Sequence, residues 1–279
     1  MPVAIVPPAA TPVPLVVDSP HSGTHYPADF RFACAPELLR SAEDAYVHDL
    51  LGAAPDVGGT LVHALFPRTY VDPNRDEGDV DPEMLDGPWP HRLNPGEKTA
   101  LGLGLVWRLA APGVPVYDRK LGVGEVEARI RACYRPYHQA LARAIDGAHD
   151  RFGRVYYIDG HSMKSAGNGM SPDPGCDRPD FCVSDLRGRT SDPAFVKLVA
   201  EVLGRNGLRV AINDPYLGAE LIRRHGRPQE GRHAVQVEIK RSLYMDEATR
   251  RPNAGYAPLK ALLSEMLAVA AAFAAGGLR

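Results

Sequence analysis

The sequence predicts an α/β fold, a three-layer sandwich around a mixed, largely parallel sheet. Short runs rich in β-branched residues alternate along the chain with longer segments of helical periodicity, the pattern of strands and helices wound about one sheet. The 279 residues are 44% hydrophobic and 24% charged, which suffices for a large core and excludes disorder. No segment repeats itself at the period of a solenoid or propeller.

Residues 1–14 hold five prolines and no charged side chain, so they read as a Pro/Ala-rich arm that cannot fold alone, and 15–279 as one catalytic domain. The arm lacks the basic start of a secretory signal, so a cytoplasmic location is expected. Strands are predicted at Leu15–Asp18, Thr60–Phe66, Arg154–Asp159, Leu208–Asn213 and Ala234–Lys240. Helices are predicted at Pro36–Ala53, Gly124–His149, Asp192–Asn206, Tyr216–His225 and Ala257–Ala275. The second helix contains Pro136, which costs about 3 kcal/mol in a helix interior unless a new helix starts there. The last is interrupted by Ser264 and Glu265 and is short for a bilayer span, so it reads as a packing helix. Two irregular stretches, Asp72–Thr99 and Ser165–Arg189, are long for a compact domain and suit substrate-covering loops.

Composition excludes several partners. Lys plus Arg number 32 against 34 for Asp plus Glu, so a net charge of −2 gives no general attraction for nucleic acid or anionic lipid. The four cysteines, Cys34, Cys133, Cys176 and Cys182, show no C-x-x-C spacing and read as reduced thiols. No G-x-S-x-G elbow occurs, which argues against a serine hydrolase.

The chemistry gathers at strand ends. His21 follows the strand at Leu15 and precedes Gly23, and His161 follows the strand that Gly160 closes. Ligands collect at the carboxyl ends of strands in open α/β sheets, so these two histidines can converge on one metal. A catalytic zinc takes three protein ligands and leaves a position for water. There is no H-E-x-x-H, so the third ligand lies elsewhere; Asp44, Glu43 and His48 are the choices, with Asp44 preferred and with Asp44 and His48 one helical turn apart. The strand Ala234–Lys240 alternates strictly and turns Gln236, Glu238 and Lys240 to one face. On an internal strand, burial raises the Glu238 carboxyl toward the range of a general base. The segment Arg68–Asp76 supplies Arg68, Asn74 and Arg75, donors suited to a substrate carboxylate or an oxyanion. His138 follows Pro136, where a kink either aims it at the site or, the reading given more weight, leaves it a structural role.

Six ordered blocks, Asp18-Ser19-Pro20-His21-Ser22-Gly23, Asp72-Pro73-Asn74-Arg75-Asp76, Arg135-Pro136-Tyr137-His138, Asp159-Gly160-His161-Ser162-Met163, Asn213-Asp214-Pro215-Tyr216 with Gly218, and Gln236 through Met245, resemble the N-formylglutamate amidohydrolase family. The resemblance covers nearly the whole chain. It implies a zinc-carboxypeptidase-like fold and metal-dependent hydrolysis of an N-acyl amino acid, typically N-formyl-L-glutamate in histidine breakdown. By similarity, His21 and His161 bind one divalent metal, with zinc expected, and Glu238 is the general base. Asn74 and Arg75 hold the substrate carboxylate or the oxyanion, and Arg241, Tyr216 and Tyr244 are further pocket residues. Two positions depart from the family pattern: His48 stands where an acidic residue is expected, and Pro73 where an apolar one is. The second bears on which acyl amino acid fits. Competing readings are a related metallohydrolase with another acyl amino acid or peptide substrate, and a non-catalytic binder of an acidic metabolite.

Overall fold

A computed structural model describes residues 1–276. Its centre is a seven-stranded sheet in the order β1-β3-β2-β6-β9-β7-β8, where β1 is Val3–Val6, β2 Leu15–Ser19, β3 Thr60–Ala64, β6 Val155–Met163, β7 Phe181–Ser184, β8 Val210–Ile212 and β9 Arg232–Lys240. A separate hairpin pairs β4 (Leu109–Ala111) with β5 (Val114–Pro115). Only β1 against β3 and β7 against β9 run antiparallel, so the sheet is mixed and mostly parallel.

Alternation along the strands divides the core into two apolar layers. On β2, Val16 faces one layer and Leu15 and Val17 the other; on β6, Val155 and Tyr157 oppose Tyr156 and Ile158. The first layer is covered by α4 (Val123–Arg129), α5 (Arg135–Phe152) and the folded segment before them. The second is covered by α2 (Val47–Leu50), α6 (Pro193–Leu203) and α8 (Tyr256–Ala274). By length and composition α8 could cross a membrane, yet it buries Leu263, Met266, Leu267 and Ala274 against the sheet layer. It is a packing helix, as its sequence predicts.

Several elements differ from the sequence-based expectation, each for a local reason. The helix expected over Pro36–Ala53 is two short ones, α1 (Pro36–Arg40) and α2, because a turn at Ser41–Tyr46 takes Asp44 out of the helix. There the Asp44 N–H donates to the His21 carbonyl at 3.0 Å and Tyr46 adopts φ +65°. Between α4 and α5 the chain stays helical through a widened π-turn at Ile130–Tyr134, which accommodates the missing N–H of Pro136 without a break. The helix α7 spans only Glu220–His225, and Tyr216 lies in the loop before it.

The strand β6 runs on through Gly160 to Met163, so His161 lies within the strand rather than beyond its end. Gly160 serves close packing: a Cβ there would overlap the Leu51 side chain and the Asp18 carbonyl. Besides the β4–β5 hairpin, two strands of the main sheet fall where none is predicted. β1 adds part of the N-terminal arm to the sheet edge, and β7 arises inside the second irregular stretch. A short helix, α3 (Glu97–Ala100), closes the first stretch.

Candidate active site and metal centre

β2, β6 and β9 end side by side, and their C-terminal ends carry the site. His161 is the direct cross-strand neighbour of Glu238, and His21 follows β2, with its ring centroid 4.7 Å from that of His161. The ligand atoms of His21, Asp44 and His161 all lie within 4.8 Å of one another, and the three residues are buried. His21 Nδ1 is 3.3 Å and His161 Nδ1 3.1 Å from the same oxygen, Asp44 Oδ2.

The outer nitrogen of His21 is anchored by another carboxylate, and that of His161 faces one. His21 Nε2 donates to Asp72 Oδ1 at 2.7 Å, which leaves Nδ1 as the lone-pair nitrogen. Among the described residues that buried Nδ1 has no hydrogen-bond partner. His161 Nε2 lies 2.8 Å from Asp159 Oδ1, out of line for an ideal hydrogen bond, and 3.1 Å from the Asn74 amide nitrogen. His21 has the orphaned inward nitrogen and carboxylate-fixed outer nitrogen of a metal-binding histidine, and His161 turns its Nδ1 to the same Asp44 oxygen, so the two imidazoles and the carboxylate form a donor set that fits a divalent ion.

Charge balance supports the same arrangement. Burial pushes His161 down, but the charge of Asp159, the hydrogen bond to Asp44 and the charge of Glu238 hold it well above its ordinary range. Burial likewise raises Asp44 and Asp72, and their neighbours overturn it: hydrogen bonding to His161 and the Arg68 charge hold Asp44, and the Arg68 charge, the His21 ring and Arg75 hold Asp72, well below the usual carboxylate range. Both carboxylates are therefore ionised. Glu238 is the exception, since burial raises it despite His161 and Arg68, and the Gln236 amide donates to its Oε1 at 2.9 Å.

A cavity of about 230 Å³ opens over this cluster. Of the residues singled out from the sequence, His21, Arg68, Asn74, Arg75, His161, Tyr216, Glu238 and Arg241 line it. Asp44 lies behind the two histidines and accepts from Arg241 Nη2 at 3.0 Å. The alternatives to Asp44 are occupied elsewhere: Glu43 accepts from the Tyr26 hydroxyl at 2.7 Å, and His48 stacks on His63.

Two expected pocket residues are not at the cavity wall. His138 donates through Nε2 to the Pro73 carbonyl at 3.0 Å and accepts from Arg224 through Nδ1 at 3.0 Å, so both nitrogens brace the Asp72–Arg75 loop. Burial and the Arg224 charge push it down to about 3, and it stays neutral. Tyr244 donates to the Ala45 carbonyl at 2.9 Å and braces the Asp44 turn. Asn74 lines the cavity, but its Oδ1 accepts from the Leu221 N–H at 2.9 Å, so it ties the loop to α7 as well. Sequence reasoning passed over Asp72 and Asp159 as anchors, Gln236 as the partner of Glu238, and Lys98 on the cavity wall. For Gln236 a signal existed, its place two residues before Glu238 on one face of an alternating strand.

The sequence profile of the N-formylglutamate amidohydrolase family matches residues 13–245. The chain belongs to that family. It is 46% identical to N-formylglutamate amidohydrolase from Ralstonia eutropha JMP134, whose crystal structure superposes with a TM-score of 0.93 over 99% of each chain. It is also similar to the N-formylglutamate deformylases of Pseudomonas putida, at 28% identity, and Pseudomonas aeruginosa, at 27%, in each case over 84% of this chain and 83% of the relative. The family and the cavity agree on an amidohydrolase with a small carboxylate substrate.

Proposed function

We propose that this amidohydrolase uses one divalent metal, zinc by the mixed imidazole and carboxylate donor set, to hydrolyse N-formyl-L-glutamate to formate and L-glutamate. The observation that carries the reading is the buried His21–Asp44–His161 cluster beside a carboxyl, Glu238, that burial holds above its ordinary value. A metal held there supplies Lewis-acid polarisation of the amide carbonyl and a lowered pKa for a water. Glu238, oriented by Gln236, takes the proton from the attacking water and returns it to the leaving amine.

The arginines face the charge that develops. Arg68 spends Nε and Nη2 on Asp72 and packs over the Trp107 ring at 5.1 Å; its Nη1 makes no hydrogen bond among the described residues. Arg75 gives Nε to the Leu103 carbonyl and Nη1 to the Asn74 carbonyl, both at 2.8 Å, and keeps Nη2. These two open donors stabilise the oxyanion and orient the α-carboxylate, in a cavity lined by six Lys and Arg residues against one carboxylate. A role in histidine breakdown belongs to the same reading.

The test is formate release from N-formyl-L-glutamate by the purified protein, with metal content measured in parallel. One zinc per chain and turnover that a chelator removes and zinc restores are expected. Metal without formate release would move the substrate to another N-acyl amino acid, and turnover that survives removal of all metal would overturn the mechanism.

A further inference from the structure

The cations on the cavity wall are not equally available. Arg178 gives Nε and Nη2 to Asp173 at 2.8 and 2.7 Å and Nη1 to the Lys164 carbonyl. Arg241 gives Nε to Ser162, Nη1 to the Ser41 carbonyl and Nη2 to Asp44. Both guanidiniums are consumed by the protein. Lys98 differs: among the described residues its ammonium makes no hydrogen bond, and no carboxylate lies within 4.0 Å of it. Lys164 is also unpaired among the described residues, but its charged neighbours are Arg241, Glu247 and Arg178, whereas those of Lys98 include Arg75 and Arg68.

The backbone of Lys98 is fixed in place while its charge is unpaired. Its neighbours in and just before α3 are tied to one carboxylate, since Asp79 Oδ1 accepts from the Gly96 N–H at 2.8 Å and from the Thr99 hydroxyl. The Lys98 carbonyl accepts the Leu103 N–H at 2.8 Å, and the Leu103 carbonyl accepts Arg75 Nε. Lys98 and Arg75 are thus wired to each other through a single residue. Burial, then the charges of Arg75 and Arg68, lower the Lys98 ammonium to about 8; Glu238 pulls the other way and Arg178 adds to the lowering. A half-buried cation among cations, held rigidly and left without a counter-charge, is costly unless a ligand completes it.

We infer that Lys98 receives the side-chain carboxylate of an N-acyl dicarboxylic amino acid and is the residue that selects acidic over neutral side chains. The inference rests on the amidohydrolase reading above and assigns the second carboxylate, with Arg75 left for the first. One substrate spanning both cations accounts for the tie of the Lys98 backbone and the Arg75 side chain to the same residue, Leu103.

The experiment compares N-formyl-L-glutamate with N-formyl-L-glutamine, which matches it in size and lacks the charge, on zinc-loaded wild type, Lys98→Met and Lys98→Arg. The wild type is expected to prefer the glutamate compound. In Lys98→Met the ratio of the two kcat/KM values falls about a hundredfold, chiefly through KM for the charged substrate, and Lys98→Arg recovers part of it. Calorimetric binding of L-glutamate weakens in parallel, while the unfolding midpoint of Lys98→Met does not fall, because an unpaired charge has been removed. An unchanged ratio in Lys98→Met, or an equal loss on both substrates, overturns the assignment of Lys98 while the deformylase reading stands. No formate from either substrate in the wild type overturns that reading and this inference with it.

Discussion

Two histidine pairs stand close together in this molecule, and they differ in almost everything but spacing. The rings of His21 and His161 are 4.7 Å apart at the ends of β2 and β6, and those of His48 and His63 are 4.9 Å apart between α2 and β3. The first pair is enclosed by Asp44, Asp72 and Asp159. The second stacks at 22° beside a separate cavity, and the acid next to His48 in the chain, Asp49, is occupied by Tyr256 and Lys260. Burial lowers both His48 and His63, with no carboxylate bonded to either ring to reverse it. Proximity of imidazoles does not by itself fit a site for metal. What sets the first pair apart is the carboxylates that fix the rings and share the charge.

The sharpest way to break this contrast is to remove the shared carboxylate. Asp44→Ala should lose stoichiometric zinc and lower formate release by more than about 100-fold, beyond the range seen when outer-shell partners of a metal are changed. His48→Ala should keep both metal and turnover. Equal metal content in the two variants, measured by elemental analysis, would erase the distinction. Glu238→Gln separates the base from the ligands: zinc stays at one per chain while kcat falls about 10²–10⁴-fold. Loss of zinc in that variant would place Glu238 among the ligands instead.

A smaller effect belongs to the anchors. Asp72→Asn retains the volume and the contact to His21 Nε2 but weakens the charge that fixes its tautomer, so zinc affinity should fall about 10–100-fold in a chelator competition. The same carboxylate holds Arg68 and the Asn74 N–H, so KM should rise as well. An unchanged zinc affinity would show that the His21 ring is oriented by packing alone.

Which of these residues can be read from sequence follows from how each is placed. His21 and Glu238 are legible because strand alternation and a terminating turn fix their direction locally, and the same reading finds His161 although β6 continues past Gly160. Asp44 is found for its chemistry and misplaced in its geometry: Ser41 to Tyr46 contain neither Gly nor Pro, so nothing local marks the break that the His21 carbonyl and Arg241 impose from elsewhere in the fold. β1 and β7 are four residues each, in segments dominated by loop-forming neighbours, and they exist because β3 and β9 offer them edges. The anchors Asp72 and Asp159 are ordinary acids until the fold brings histidines to them. Lys98, inside an irregular stretch, acquires meaning only from the company it lacks.

The weakest effect tests the other half of the comparison. His48 and His63 sit below the ordinary histidine value in the folded protein, so as pH falls through about 6.5 the unfolded chain takes up protons that the folded chain refuses. Stability therefore declines from about pH 6.5 downward until the folded pKa values are reached. Replacing both rings, in His48→Gln/His63→Gln, removes this contribution, and the loss of unfolding midpoint between pH 7 and pH 5.5 should be smaller than in the parent protein. All other titrations, and any release of metal on acidification, are common to both proteins and cancel in the difference. Both rings are only about half-buried, so solvent screens them and the shift should be the smallest of those argued here. Identical acid slopes would mean that the stacked pair relaxes apart and accepts its protons without cost, which would make His48 and His63 as indifferent to charge as they are to metal.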